Sequence, residues 1–347
     1  MKYKVILVVA VLLSSSTVFS QSKNKSEVKL NVNDADNKVD VMVDGKLFTS
    51  YIYPDNVKKP VLWPIMSQAG NMLTRSFPMI DKEGDRTDHP HHVGVWLNYG
   101  DVNGLDFWNN SEAIATEKRS RYGSIYHKTI EKAKSGKGKA TLVTTSDWKS
   151  PDNTVMLEEK TSFNFISADN ARIIDRTTTL TAVIDEVKFT DNKEGMFAIR
   201  VARELELPTE KPAKLMDSHG VVTEVKKMDN TFVKGNYRSA DGVEGKEVWA
   251  TRSRWMKLAS EINGEAVALV IIDHPSNTGY PTYWHARDYG LFAANTLGQK
   301  VFSKGKNELN LSLKKGQSAT FKYRLIVASE NLSDNQINKL ADEYAEM

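Results

Sequence analysis

Three of the chain's seven histidines fall within four residues, in Asp88-His89-Pro90-His91-His92. A neutral imidazole can accept, donate or coordinate near pH 7, so this segment gathers several titratable nitrogens in one place. On an extended backbone His89 and His91 share one face while His92 points to the other, so at most two of the three are expected to act on one ligand. His91 and His92 are candidate catalytic groups and His89 a candidate binding group. The chain then runs through Val95-Trp96-Leu97-Asn98-Tyr99 to Asp106-Phe107-Trp108, alternating aromatics with amides and acids. Such a mixture suits a sugar, because indole and phenol faces stack on pyranose rings while Asn and Asp bond the hydroxyls. Trp96, Asn98, Asp106 and Trp108 are therefore candidate substrate contacts. The competing reading buries both tryptophans in a core.

A second cluster runs from Asp273-His274-Pro275 to Tyr283-Trp284-His285-Ala286-Arg287-Asp288-Tyr289-Gly290, between two apolar runs. If extended, it puts His285 and Arg287 on one face, pairing a proton-transfer group with a fixed cation able to hold a carboxylate or an oxyanion. His285 joins the catalytic candidates. Trp284, Arg287 and the earlier Arg75 join the binding candidates. The competing reading puts Arg287 and Asp288 in surface ion pairs. Arg86, His219, Glu194 and Arg200 are weaker candidates, and His127, without polar company in the sequence, reads as structural. No Gly-x-Ser-x-Gly elbow, phosphate-cradling glycine loop or His-Glu-x-x-His helix is present. The chain has no Cys, which removes disulfides, thiolate nucleophiles and Cys-ligated zinc. No cofactor is predicted. A divalent metal held by His89 or His91 with His285 and a carboxylate stays open.

The elements that must position these residues read as strands. Val39, Val41 and Val43 alternate up to an Asp44-Gly45 turn, and Leu47, Tyr51 and Tyr53 continue beyond it. Leu309, Leu311 and Leu313 lead into Lys314-Lys315-Gly316-Gln317, and Ala319, Phe321, Tyr323, Leu325 and Val327 lead out, which predicts a hairpin. Further strand-like runs span 140–145, 161–166, 172–184, 196–205 and 266–272. Only the last segment reads as a helix: Leu332 and Ile337 flank a Ser333/Gln336 capping box, and Leu340, Ala341 and Tyr344 extend the stripe. Many short strands without alternating helices predict an all-β fold, a large antiparallel β-sandwich with a short C-terminal helix.

The 347 residues carry 47 Lys+Arg against 44 Asp+Glu, a formal net charge of +3, so bulk charge predicts no nucleic-acid partner. Residues 1–20, a basic start followed by nine apolar residues from Val5 to Leu13 and small polar residues, read as a cleaved signal peptide. Nine apolar residues fall short of the roughly 20 a membrane span needs. The expected organisation is a signal at 1–20, a linker at 21–30 and a single β-sandwich domain at 31–347. The mature protein is then exported, periplasmic or secreted, with no membrane contact after signal cleavage.

The run from Arg86 through Trp96 and on to Trp108, with Asp273-His274-Pro275 and the segment from Pro281 to Gly290, resembles the bacterial family labelled PmoA-like. Glu194-Gly195, Arg200, Trp249, Trp255 and Tyr323-Arg324-Leu325 match its pattern, and the resemblance covers nearly all of the mature chain. Methane oxidation, the activity in the label, belongs to a bundle of membrane helices, and no later segment here is long and apolar enough to span. The resemblance implies an exported protein encoded near carbohydrate-degradation genes. The β-rich pattern and paired His segments also resemble the galactose-mutarotase-like supersandwich shared by epimerases, some lyases and some hydrolases. The late Glu of a mutarotase has no assigned counterpart here, so its catalytic residues do not carry over. These readings lead to a carbohydrate-active enzyme of epimerase, lyase or hydrolase type working by His-mediated proton transfer on a carbohydrate substrate. A non-catalytic glycan-binding protein and a metal-dependent hydrolase or oxygenase are the alternatives.

Overall fold

The structure, a computed structural model, describes residues 25–217 and 219–347. The expected signal peptide and the start of the expected linker lie outside the described residues. Glu27–Asn33, at the far end of that linker, is already a strand.

Two large antiparallel sheets dominate. One has nine strands, in the spatial order Tyr283–Ala286, Leu291–Asn295, Gly195–Arg200, Val95–Tyr99, Val61–Ile65, Lys46–Ile52, Lys38–Val43, Glu27–Asn33 and Gly136–Lys137. The other has eight: Asn236–Ser239, Trp255–Ile262, Glu265–Asp273, Ser318–Ala328, Ala171–Ala182, Val155–Ala168, Lys139–Lys149 and Ser124–Lys134. Period-two alternation decides what each face does. Val95, Leu97, Phe197, Ile199 and Phe292 of the first sheet meet Ile174, Leu269, Ile271, Phe321 and Leu325 of the second in one shared core. This is the all-β sandwich that the alternation predicts.

On the outer face of the eight-stranded sheet, Ala268, Val270, Ile272 and Ile326 are covered by Ile337, Leu340, Ala341 and Tyr344 of the C-terminal helix Asp334–Ala345. Ser333 accepts from the Gln336 backbone N–H and the Gln336 side chain returns the bond, so the predicted capping box is present. The Asp44-Gly45 turn also forms, with both residues at positive φ, the backbone a two-residue hairpin turn requires.

The predicted late hairpin is not one. Leu311–Lys314 pairs with Glu186–Phe189, while Ser318–Ala328 pairs with Ala171–Ala182 and Glu265–Asp273. The turn itself closes, Gln317 N–H donating to Lys314 C=O at 2.8 Å, but the chain changes sheets there because non-local partners hold each arm. Among the described residues no helix is long and apolar enough to cross a membrane.

Candidate functional site

The site lies on the outer face of the nine-stranded sheet, across four neighbouring strands: Val95–Tyr99 follows the first His segment, Tyr283–Ala286 and Leu291–Asn295 adjoin the second, and Gly195–Arg200 lies between them. Register aligns His285, Ala293, Ala198 and Trp96 across these strands. Between the imidazole and the indole the sheet thus raises only two methyl groups, and loop side chains pack over them. Tyr289 packs on the cluster formed by Trp96, Trp108, Ala198, Leu291 and Ala293.

The three histidines are not extended. His89 has φ 44°, and His92 N–H donates to His89 C=O at 2.9 Å, closing a turn through Pro90 and His91. The expected division of faces therefore fails: His89 and His92 stack at 4.9 Å and 3°, and His91 meets His92 edge-on at 4.4 Å. Tyr289 extends the stack beyond His89 at 5.1 Å, and Trp96 extends it beyond His92 at 5.2 Å. Trp108 tilts against Trp96 at 5.2 Å. The turn is held from below. Arg75, 2% exposed, donates to the carbonyls of Arg86, Asp88, His89 and His92 and to the Asp88 carboxylate at 2.9 Å. Its guanidinium is spent on the loop, so Arg75 positions the histidines rather than holding substrate.

Arg200, fully buried at the end of its strand, donates to Asp88 Oδ1 at 2.7 Å and lies 3.2 Å from His92 Nδ1. Burial works against the Asp88 carboxylate, but His89, Arg200 and Arg75 hold its pKa well below the usual range. Because a guanidinium only donates, His92 Nδ1 is the acceptor and its proton sits on Nε2. That Nε2–H is buried with no partner among the described residues. Burial, with His91 and Arg200 beside it, pushes the His92 pKa far down, so the ring is neutral.

His285 is arranged the other way. Its Nδ1 lies 3.1 Å from the Lys193 carbonyl and 3.7 Å from Glu194 Oε2, and a carbonyl only accepts. Nδ1 therefore carries the proton and Nε2 presents a lone pair. Burial, with the charges of Lys193 and Arg287, lowers the His285 pKa to about 3. His91 is likewise neutral, pushed down to about 2 by burial and by Lys59. Lys59, which the sequence did not single out, is 2% exposed, donates to His91 C=O at 2.7 Å and sits 5.4 Å over the Trp96 ring. Burial drops its pKa to about 7 against the attraction of Asp106. A cavity of about 240 Å³ opens beside Lys59 and His91, lined also by Val57, Pro78 and Met79.

Other candidates fall differently. Trp284 faces the shared core, its Nε1–H donating to Ser253 C=O at 3.2 Å and Oγ at 3.0 Å, because neighbouring residues of one strand point to opposite sides. It cannot touch a ligand held by His285. Asp106 accepts from the N–H groups of Trp108 and Asn109 at 2.8 and 2.9 Å, fixing a turn. Asn98 donates to Phe107 C=O at 2.6 Å and leaves a buried Oδ1 without partner. Trp96 and Trp108 are fully buried, as the core reading holds, yet both indole N–H groups are unpartnered among the described residues. Among the described residues Arg287 forms no ion pair: its guanidinium lies 5.8 Å from the Trp249 ring and 5.6 Å from the Tyr289 ring, while Asp288 pairs with Lys211. Arg86 is committed to Glu206 at 2.7 Å, and His127 has polar company after all, the Tyr51 hydroxyl at 3.0 Å. Arg200 and Glu194, weaker candidates in the sequence, belong to the site. Lys59 and Lys193 lacked any signal, since a lysine in a turn-like stretch is indistinguishable in sequence from a solvated one. Among the described residues no three His, Asp or Glu side chains gather as a group that could hold a metal ion.

A family model matches residues 38–342. The chain belongs to DUF6807, a family of unknown function. The PmoA-like label is not part of that description. The chain matches no curated protein. Among solved structures it is similar to a GH36 α-galactosidase from Geobacillus stearothermophilus, with 11% identity and a TM-score of 0.41 over 87% of this chain and 41% of that one. It is also similar to a galactose mutarotase-like protein from Clostridium acetobutylicum, with 12% identity and a TM-score of 0.35 over 89% of this chain and 99% of that one. The chain spans about two fifths of the length of the α-galactosidase structures it matches.

Proposed function

We propose that this DUF6807 member is an exported carbohydrate-active enzyme that acts on a sugar by histidine-mediated proton transfer, of epimerase, lyase or hydrolase type. The observation that carries the reading is a pair of buried neutral imidazoles held in opposite tautomers on one face of the sheet. His285 Nε2 offers a lone pair that can take a proton, and His92 Nε2–H offers a donor to an oxygen on which charge develops. At the accessible end of the Tyr289–His89–His92–Trp96 stack, His89 and Tyr289 offer ring surface of the kind that packs against a pyranose. His91, also neutral, is the second candidate for proton transfer.

Replacing His285 with Ala or Gln is expected to lower turnover about 10²- to 10⁴-fold, the usual worth of a positioned acid or base, with a much smaller change in sugar affinity. The check is a proton-NMR time course with neutral and acidic mono- and oligosaccharides. New anomeric or vinyl signals identify the reaction type. Sugar binding without any new species would replace the enzyme with a glycan-binding protein, and equal turnover in wild type and both variants would remove His285 from the chemistry.

A further inference from the structure

The charges around His285 do not balance. After burial, Lys193 and Arg287 are the charges that depress its pKa, and burial together with Arg287 also pushes the Lys193 ammonium below its ordinary value. Each nearby carboxylate is already committed: Glu194 to Lys193, Asp88 to Arg75 and Arg200, Asp288 to Lys211, Asp106 to backbone N–H groups. Among the described residues no carboxylate lies within salt-bridge reach of the Arg287 guanidinium, which is half-buried beside the Trp249 and Tyr289 rings. Contact with two rings restricts a guanidinium, so less freedom is left to lose when an oxyanion docks.

The unfilled hydrogen-bonding groups point the same way. Buried polar atoms without partners among the described residues include the donors His92 Nε2–H, the indole N–H groups of Trp96, Trp108 and Trp249, and Nε of Arg75 and Arg200, against the acceptor Asn98 Oδ1, the His285 lone pair and His91 Nε2, whose role follows its tautomer. Buried donors are costly to leave unmade, so the complement of this face is rich in acceptors.

We infer that the substrate is an acidic sugar, whose carboxylate docks on Arg287 beside Lys193 and brings the sugar within reach of His285. This deepens the carbohydrate reading and rests on it. A bound carboxylate would offset the Arg287 charge that now disfavours the protonated His285, so filling the anion position also makes that imidazole a stronger base where the proton must be taken. A neutral sugar provides no such offset.

The test compares glucuronate with glucose and galacturonate with galactose, pairs that differ at C6, by titration calorimetry on the whole protein, in wild type, Arg287→Gln and Lys339→Gln. Lys339→Gln removes one exposed positive charge from the C-terminal helix and controls for net charge. The expected result is about tenfold or greater preference for each uronate, lost in Arg287→Gln and kept in Lys339→Gln. A second readout is the His285 imidazole resonance, whose pKa rises on uronate binding in wild type. Equal affinity for acid and neutral sugars, or a preference that survives Arg287→Gln, overturns the acidic-sugar inference while leaving the carbohydrate reading standing. Failure of all four sugars and of longer acidic oligosaccharides to bind overturns both.

Discussion

The histidines of this site are defined by what denies them a proton. His92 and His285, both nearly inaccessible, are neutral when folded, yet each titrates near 6.5 once unfolded. Below pH 6.5 the unfolded chain binds protons that the folded chain refuses, so stability is fully present above that pH and is lost as the pH falls. The slope is about 1.4 kcal/mol per pH unit for each such histidine. Because Gln is neutral throughout, His285→Gln is expected to flatten the dependence between pH 6.5 and 4.5 by about one proton's worth, read from urea unfolding at several pH values. An unchanged slope would show that folded His285 does take up a proton in that window. At this scale the sequence was partly legible. The unusual spacing 89-91-92 marks the loop, but nothing in it announces the turn that stacks His89 on His92, since an αL residue at His89 is imposed by Arg75 gathering four carbonyls. Trp284 was legible and misassigned: a residue adjacent to His285 on a strand must face the other way.

Elements carry the next layer of control. Gly94, between the histidine turn and the Val95–Tyr99 strand, has φ 58°, and a Cβ there would meet the Leu62 carbonyl oxygen at 2.1 Å. The chain can pass so close to its neighbour only without a side chain. Gly94→Ala is expected to cost at least about 2 kcal/mol in chemical unfolding and to weaken sugar binding, because the loop must shift away from the sheet. Retained stability and affinity would mean that the Leu62 strand yields easily. Strand existence was readable from alternation in many segments, including 140–145, 161–166 and 266–272, but Ser124–Lys134 and Trp255–Ile262 were not read and the 196–205 run ends in a 3-10 turn at Arg203–Leu205. Strand partnership was not: Leu311–Lys314 and Ser318–Ala328 are joined by a well-formed turn yet pair elsewhere. A turn specifies only its own geometry, whereas pairing is decided by hydrophobic faces arriving from distant parts of the chain.

At the scale of the molecule the two sheets divide the labour. Their facing sides make one core, one outer face carries the ring stack, and the other is sealed by the C-terminal helix. Ser333→Ala, which removes the helix cap, is therefore expected to lower stability by about 1 kcal/mol in urea unfolding while leaving sugar affinity unchanged. A change in affinity would show that the far sheet is coupled to the site. The sandwich architecture was the most legible feature because it follows from summed patterning over hundreds of residues, which no single misread element can overturn. Its layering also has a practical consequence. The helix Asp334–Ala345 packs against the face opposite the His89–His92 turn, with two sheets about 10 Å apart in between. A tether fixed to the outer side of that helix would present the candidate site outward from a sensor chip or bead, so immobilised protein could be screened against glycans without its support standing in the way.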